Sequence, residues 1–182
     1  YGEAGIFDEQ TNAVRIMSIH KSKGLEFPVV IVAGMGKRFN TQDIKNSVVI
    51  HPELGLGMDA VDIERRTKCP TLLKKVIQTE TGLENLGEEL RVLYVAMTRA
   101  KEKLILTGTV SGAARKLEAY GAQASEYDDR TTMAFTALTG AKCFFDWVLP
   151  AAVRLDPEEP VGLKIINISE LVWEEAGREA AD

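Results

Sequence analysis

The chain is poor in cysteine and in long apolar runs, and both shortages exclude classes of protein. Its two cysteines, Cys69 and Cys143, form no C-x-x-C pair, which argues against a disulfide framework or a metal site and fits a reducing compartment. No run of about eighteen apolar residues occurs, so no membrane span is expected. The acidic opening, YGEAGIFDEQ, is not a secretory signal, so we expect a cytoplasmic protein. Because the chain opens without Met, we also expect a piece of something longer.

Positive charge is also scarce. The 182 residues carry 22 basic and 27 acidic side chains, a net charge of −5. A protein that binds nucleic acid by charge alone is usually basic, so any such contact here must be local. A local basic excess lies in residues 15–45, where only Glu26 and Asp43 oppose it. Its members are Arg15, Lys21, Lys23, Lys37, Arg38 and Lys45.

Several catalytic motifs are missing. The segment GMGK at 34–37 is no phosphate-binding P-loop, because Ile31 stands where the first glycine belongs and Arg38 replaces the Ser or Thr. The segment GLGMDA at 55–60 fits a dinucleotide fingerprint, but no clear strand and helix flank it, so we expect a turn. No G-x-S-x-G is present for a serine hydrolase.

Apolar patterning predicts an α/β domain. Residues 13–19 and 28–33 are apolar on both faces, which is typical of strands inside a parallel sheet, and 48–51 predict a short third strand. Pro70 is expected to open a helix that breaks at Gly82 and Gly87. In the helix that follows, the spacing of Leu90, Leu93, Tyr94 and Met97 predicts a deeply buried face, with Tyr94 in the core. Strand 103–110 completes the strand, helix, strand order.

Beyond Ser111 the pattern turns helical. We expect helices at 112–120 and 132–149, the second weakened by Pro150, with a loop at 121–131 between them. Residues 156–162 are typical of a linker, and 163–168 predict a terminal strand.

The loop between the first two predicted strands is a candidate binding site. It reads SIHKSKGLEF and should emerge at the carboxyl end of strand 13–19, where open α/β sheets gather ligands. Ser18, His20, Lys21 and Lys23 can hold a phosphate backbone without reading bases. Gly24 permits a positive φ or a close backbone approach. Glu26 has a second interpretation, in which it only neutralises Lys23.

The helix end VAMTRA is a second candidate site. An arginine that projects from a rigid helix into a cleft suits phosphoryl transfer, because its planar fork stabilises charge on a transferred γ-phosphate. Arg99 occupies that place. The alternative is that Arg99 only complements the dipole at the helix end.

Together these segments resemble a known group of motor proteins. VRIMSIHKSKGLEFPVVIV is similar to motif V, and GEELRVLYVAMTRAKEKLIL to motif VI, of superfamily 1 DNA helicases of the UvrD/PcrA/Rep/RecB group. The resemblance covers residues 13–110. The segments between them, GKRFN, IHPELGLG and RRTKCPTLLKKVI, most resemble AddA, the helicase–nuclease component of bacterial AddAB enzymes, and FFDWVLPAA at 144–152 extends that likeness.

The resemblance implies a role for each candidate residue. Arg99 would be a catalytic arginine finger on the γ-phosphate of ATP held by another domain. Gly24 and Glu26 would lie beside the nucleotide, with Glu26 near its ribose. The remaining candidates would serve single-stranded DNA: Ser18 and His20 would touch the backbone, and Lys21 and Lys23 would add charge. Ser18 stands where many relatives have Thr, which keeps the hydroxyl.

The resemblance also implies an organisation. Residues 13–110 would be a partial RecA-like parallel sheet, the second motor domain. Residues 1–12 would end a preceding inserted subdomain or linker, and 111–182 would form a helical extension toward a nuclease domain.

The implied function is that of an ATP-dependent DNA helicase/exonuclease in double-strand-break repair and recombination. ATP and Mg²⁺ would be held mainly by a first motor domain, whose Walker A and Walker B motifs are absent from this sequence. The partners would be single-stranded DNA, duplex ends and an AddB-like protein. The isolated piece should not hydrolyse ATP. Two alternatives remain, a UvrD/PcrA-type repair helicase without nuclease and a degenerate module that binds DNA or a partner.

Overall fold

The computed structural model describes residues 13–126, 133–154 and 162–166, which fall into two compact units divided between Gly108 and Thr109. The prediction for residues 1–12 and most of the predicted linker at 156–162 lie outside the described residues. The assignment of the two parts to a motor domain and an extension stays a prediction. In chain order the first unit contains β1 (Phe27–Val32), β2 (Val48–His51), β3 (Gly55–Asp62), β4 (Thr67–Pro70), α1 (Leu72–Met97) and β5 (Ala100–Leu106), with short 3-10 helices at Ile19–Ser22 and Asp43–Lys45.

A parallel pair of strands confirms the predicted α/β class. β1 and β5 run side by side, from Phe27 beside Ala100 to Val32 beside Leu106, and α1 lies between them in sequence. The strands predicted at 28–33 and 103–110 are therefore present, each with ends displaced by a few residues. Parallel strands need a long crossover connection, which α1 supplies.

The strand predicted at 13–19 is wrong. Residues 13–18 belong to no strand or helix, and Val14 and Ile16 are 93% and 97% exposed. The two-faced burial expected of 28–33 is also wrong, because Val29 and Ile31 are more than half exposed. Within the described residues the parallel sheet has only two strands, so an apolar segment beside it lacks the neighbours that would bury it.

An antiparallel sheet follows where the sequence predicted only one short strand and a turn. β2 pairs with β3 and β3 with β4. The predicted strand 48–51 is confirmed as β2, but the turn expected at 55–60 is wrong because these residues belong to β3. A Cβ at Gly57 would lie 2.7 Å from the Cα of Lys74, so glycine at this position lets α1 pack directly on the sheet.

One continuous helix replaces the two that were predicted. α1 runs through Gly82 and Gly87, and Thr71 caps its start, its Oγ accepting from the Lys74 N–H at 3.2 Å. Pro70 ends β4 and does not open the helix. Tertiary packing outweighs the local cost of a helical glycine, about 1 kcal/mol each, because α1 packs on β2, β3 and the 3-10 helix Ile19–Ser22.

The apolar face predicted near the end of α1 is only partly buried. Leu93 is 5% exposed, whereas Leu90 and Met97 are about two-fifths exposed and Tyr94 is 68% exposed. The prediction that Tyr94 packs in the core is therefore wrong for the described structure. The 3.6-residue spacing finds a helix face correctly but does not say which part of that face is covered.

Polar groups hold α1 against the antiparallel sheet. Lys74 is buried and donates from Nζ to Asp59 Oδ1 at 2.7 Å and to the Ser47 carbonyl at 3.1 Å. The hydrogen bond from Lys74, with a second one from Lys68, holds the pKa of Asp59 below its ordinary value. His51 is also buried, and its Nδ1 accepts from the N–H groups of two residues in the β2–β3 turn. The buried charge of Lys74 is tolerated because it is paired with Asp59 and hydrogen-bonded.

The second unit is helical where it is described. It contains α2 (Ala113–Glu126), α3 (Phe135–Thr139) and α4 (Phe145–Arg154). The helix predicted at 112–120 is confirmed but extends into the expected loop, and the one predicted at 132–149 is two helices, with Pro150 inside the second. Residues 162–166 form no strand, and the rest of the predicted strand at 163–168 lies outside the described part.

Asp146 organises this unit. Its carboxylate accepts from the Tyr120 hydroxyl and from the Lys142 N–H, both at 2.8 Å, and lies 3.4 Å from Lys116 Nζ. Burial raises the pKa of Asp146, but these hydrogen bonds and the lysine charge together outweigh burial, so its pKa lies below the ordinary value. None of the helices in the described part of the chain combines the length and the hydropathy that a membrane span needs.

Candidate functional site

The two candidate segments meet at one edge of the parallel sheet. The segment Ser18–Glu26, here called the basic loop, enters β1, and Arg99 immediately precedes β5. The Phe27 N–H donates to the Arg99 carbonyl at 2.9 Å, so both strands begin side by side. This edge is the amino end of β1 and β5. The expected position after a strand at 13–19 is wrong, because those residues form no strand.

The first half of the basic loop is a capped turn. Ser18 precedes the 3-10 helix Ile19–Ser22, and its Oγ accepts from the Lys21 N–H at 3.4 Å. Ser22 is buried and donates from Oγ to the Ile19 carbonyl at 2.7 Å. These local hydrogen bonds fix the turn against α1. The side chain of Ser18 has a structural task, which leaves its hydroxyl proton available for another acceptor.

The cationic side chains of the basic loop face solvent. His20, Lys21 and Lys23 are exposed, and within the described residues their side-chain nitrogens have no hydrogen-bond or ion-pair partner. Unpaired ammonium and imidazole groups on an ordered turn suit contact with a phosphate backbone.

The second half of the basic loop depends on glycine. Gly24 has φ +83°, a conformation that side chains other than glycine rarely adopt. The Leu25 N–H then donates back to the Ser22 carbonyl at 3.0 Å. This bend brings the Leu25 carbonyl within reach of Arg99.

Arg99 is held at three points. Its Nε donates to the Val95 carbonyl at 3.0 Å, Nη1 to the Leu25 carbonyl at 2.9 Å and Nη2 to Thr98 Oγ at 3.0 Å. Val95 lies in the last turn of α1, whose carbonyls lack helical partners. Arg99 therefore does complement the end of the helix, as the alternative interpretation expected, but this contact uses only one of its donors. A guanidinium has five N–H donors. Within the described residues, one donor on each terminal nitrogen remains without a partner.

Glu26 does not pair with Lys23. Its Oε2 lies 3.2 Å from Lys101 Nζ, and both side chains are more than half exposed. The alternative in which Glu26 neutralises Lys23 is wrong, because the partner is on β5. An exposed pair of this kind contributes about 0–1 kcal/mol, so it can be broken at little cost when a ligand competes.

Sequence reasoning missed three members of this edge. The Leu25 carbonyl, Thr98 and Lys101 all contact a candidate residue, yet only Thr98 gave a signal, through its place beside Arg99 in VAMTRA. The other two contacts join segments far apart in the chain, which no local pattern reveals. Tyr94 also reaches this end of α1, since its carbonyl accepts from Thr98 Oγ at 2.9 Å.

The described fold and edge define a class: an α/β domain with a parallel sheet, consistent with part of a RecA-like motor domain. The family follows from comparison with known proteins. The chain belongs to the UvrD-like helicase C-terminal domain family, whose model matches residues 2–111.

Curated relatives extend this match beyond the family model. A protein of Lachnoclostridium phytofermentans is 55% identical over 153 residues, which cover 84% of this chain and 11% of that protein. Proteins of Acetivibrio thermocellus and Clostridioides difficile are 50% and 48% identical over the same share of the chain and 12% of their own lengths. Each of the three is named as the A component of an ATP-dependent helicase/nuclease. The chain therefore spans about a ninth of the length of these relatives.

Proposed function

We propose that the chain is the second motor half of an AddA-like, ATP-dependent DNA helicase/exonuclease that acts in double-strand-break repair and recombination. In this proposal it supplies an arginine finger and contacts to single-stranded DNA, and it does not hydrolyse ATP alone. The likeness to three proteins that are each named as part of an ATP-dependent helicase/nuclease supports the proposal, as does the small share of those proteins that the chain spans.

One observation carries the proposal: Arg99 and the basic loop share an edge and are joined by the Nη1 to Leu25 carbonyl hydrogen bond at 2.9 Å. A helix-end arginine with no further role would need no cationic loop against it. Here, as far as the structure describes the chain, the guanidinium keeps a free donor on each terminal nitrogen. Two such donors can address two oxygens of one phosphoryl group, the geometry that stabilises charge in phosphoryl transfer.

The other candidates take roles on either side of Arg99. Gly24 and Glu26 lie next to Leu25 and are assigned to the nucleotide, with Glu26 exchanging Lys101 for the ribose. Ser18, His20, Lys21 and Lys23 are assigned to the DNA backbone. The separation is physically reasonable because the exposed cations lie on the 3-10 turn, while the bend at Gly24 turns the chain toward Arg99.

The donor set fits one side of an ATP molecule and not a metal. Arg99 offers donors to phosphate oxygens, and ATP would supply the phosphoryl group that is transferred. Within the described residues no three carboxylate, imidazole or thiolate groups cluster. In this proposal Mg²⁺ would be held mainly by another domain, together with the phosphates of ATP. The chain's own task would be to present charge to a phosphate held elsewhere.

The partners and the location belong to the same proposal. The relatives are each named as one component of an enzyme with more than one chain, which favours a second, AddB-like protein as partner. A cytoplasmic location accords with a DNA substrate.

The two alternative functions differ in what they require. A UvrD/PcrA-type helicase needs Arg99 but no nuclease, and a degenerate binding module needs neither.

The test is steady-state ATP hydrolysis by the full-length polypeptide with saturating single-stranded DNA. Arg99→Lys keeps the charge but loses the fork, and kcat should fall by roughly 10³-fold, the scale of an arginine finger. Arg91→Lys is the matched control, since Arg91 also lies on α1 and, among the residues that the structure describes, pairs only with exposed Glu88. If the two variants hydrolyse ATP equally fast, the proposal fails.

A further inference from the structure

Thr98 joins the end of α1 to the guanidinium of Arg99. Its Oγ lies 2.9 Å from the Tyr94 carbonyl and 3.2 Å from the Val95 carbonyl, so the hydroxyl proton is donated to the helix end. The same oxygen accepts from Arg99 Nη2 at 3.0 Å. A hydroxyl has one proton and two lone pairs, which makes both contacts possible together.

We propose that Thr98 is a positioning residue for phosphoryl transfer: its hydroxyl, oriented by the carbonyls at the end of α1, orients the Arg99 guanidinium. The inference rests on the proposed function and adds a residue to it. Thr98 would touch neither ATP nor DNA and would act only through Arg99.

The geometry shows why this contact matters for orientation. Nε and Nη1 bind two backbone carbonyls, one on the helix and one on the basic loop. Nη2 donates to the Thr98 hydroxyl alone among the described residues. Because the guanidinium is planar, the contacts of Nε and Nη1 already restrain Nη2, and the Thr98 hydroxyl adds the third contact that limits tilting of the plane about those two. A two-oxygen contact requires that both terminal nitrogens are held in the correct plane. Misplacement of about 1 Å can cost about 10²-fold in rate.

Threonine suits the task better than an unbranched hydroxyl residue. Its β-branch restricts χ1, and in helices Thr commonly bonds the carbonyl four residues back. Thr98 makes that contact to Tyr94. The oxygen that faces Arg99 is therefore fixed by the helix and requires no ligand to order it.

The test uses three variants of the full-length polypeptide. Thr98→Val keeps the shape and removes the hydroxyl, and kcat for DNA-stimulated ATP hydrolysis should fall by about 10-fold or more, the worth of one hydrogen bond to a charged group. KM for ATP should stay within about twofold, because the guanidinium acts mainly in the transition state. Thr98→Ser should restore most of kcat. Thr79→Val is the matched control: Thr79 also bonds a carbonyl four residues back on α1, that of Lys75, but holds no guanidinium.

A double-mutant cycle separates positioning from a structural effect. In an Arg99→Lys background, Thr98→Val should change kcat by less than about threefold, since the group that Thr98 orients is gone. An undiminished effect in that background overturns the inference. A normal kcat for Thr98→Val, found together with a low kcat for Arg99→Lys, also overturns the inference, but it leaves the proposed function intact. If Arg99→Lys hydrolyses ATP as fast as wild type, the result contradicts the proposed function itself.

Discussion

At the scale of single residues, some side chains make a structural hydrogen bond and still keep an unused donor. Arg99 binds the last turn of α1 and, among the described residues, leaves one donor on each terminal nitrogen unused, and Ser18 caps a turn while retaining a proton to donate. Each structural task holds the side chain in place before any ligand arrives. Preorganised donors cost less to use in the transition state than donors that must first be ordered.

Gly57 and Gly87 should respond oppositely to the same substitution. Gly57→Ala puts a Cβ 2.7 Å from the Lys74 Cα and 3.0 Å from Val49 Cγ2, so backbone must shift. We expect a loss of about 1–3 kcal/mol in the free energy of unfolding. Gly87→Ala is the control: Gly87 lies inside α1, the new Cβ would meet no atom within 4 Å beyond its chain neighbours and the adjacent helix backbone, and the variant should gain about 0.5–1 kcal/mol.

Urea unfolding of the 182-residue chain, followed by circular dichroism, measures both changes. A stabilised Gly57→Ala variant would contradict the close packing of α1 on β3.

At the scale of elements, the basic loop acts as one unit. Its turn packs on α1, its bend depends on Gly24, and its far end is tied to Arg99. The cations are exposed on an ordered frame, which suits contacts that position a strand of DNA without reading its sequence.

Removing the two lysines of this loop should lower the salt dependence of DNA binding. In the full-length polypeptide, the slope of log Kd against log salt for a single strand should flatten by about 1.4 units in Lys21→Ala/Lys23→Ala, since each of the two phosphate contacts contributes about 0.7. Lys75→Ala/Lys103→Ala removes two exposed lysines of the same unit outside the loop and should leave the slope unchanged. Fluorescence anisotropy across a salt series gives the slopes, and equal slopes for both double variants would rule out the loop as the contact.

Local pattern predicted elements well where packing agreed with it. β1, β2 and β5 were each predicted within a few residues, and a helix was correctly predicted to end near VAMTRA, although its start was not. The pattern was wrong at Gly82 and Gly87, where helix packing on a sheet overrides propensity, and at 55–60, where glycines allow close approach instead of a turn.

Across the whole molecule, the sequence predicted which segments matter better than how they touch. The basic loop and Arg99 were each predicted as candidate sites, and the structure brings them together at the amino end of β1 and β5. Contacts between distant segments, such as Glu26 with Lys101 or Nη1 with the Leu25 carbonyl, depend on strand order and register. Local patterns in a single sequence do not reveal strand order or register.

The exposure of several apolar residues was not predicted for the same reason, because burial also depends on contacts between distant segments. Val14, Ile16, Val29 and Ile31 gave the pattern of strands covered on both sides, yet they are exposed in the described structure. The prediction of their burial assumed neighbouring strands, and within the described residues the parallel sheet has only β1 and β5.

The central claim is that Arg99 contacts the phosphoryl group in the transition state. The most direct measurement is the affinity of the full-length polypeptide for ADP with aluminium fluoride, which mimics that group, compared with its affinity for ADP alone. Wild type should bind the mimic more tightly than ADP by at least about 10²-fold. Arg99→Lys should lose most of that preference while its affinity for ADP is unchanged. An Arg99→Lys variant that keeps the full preference would contradict the account.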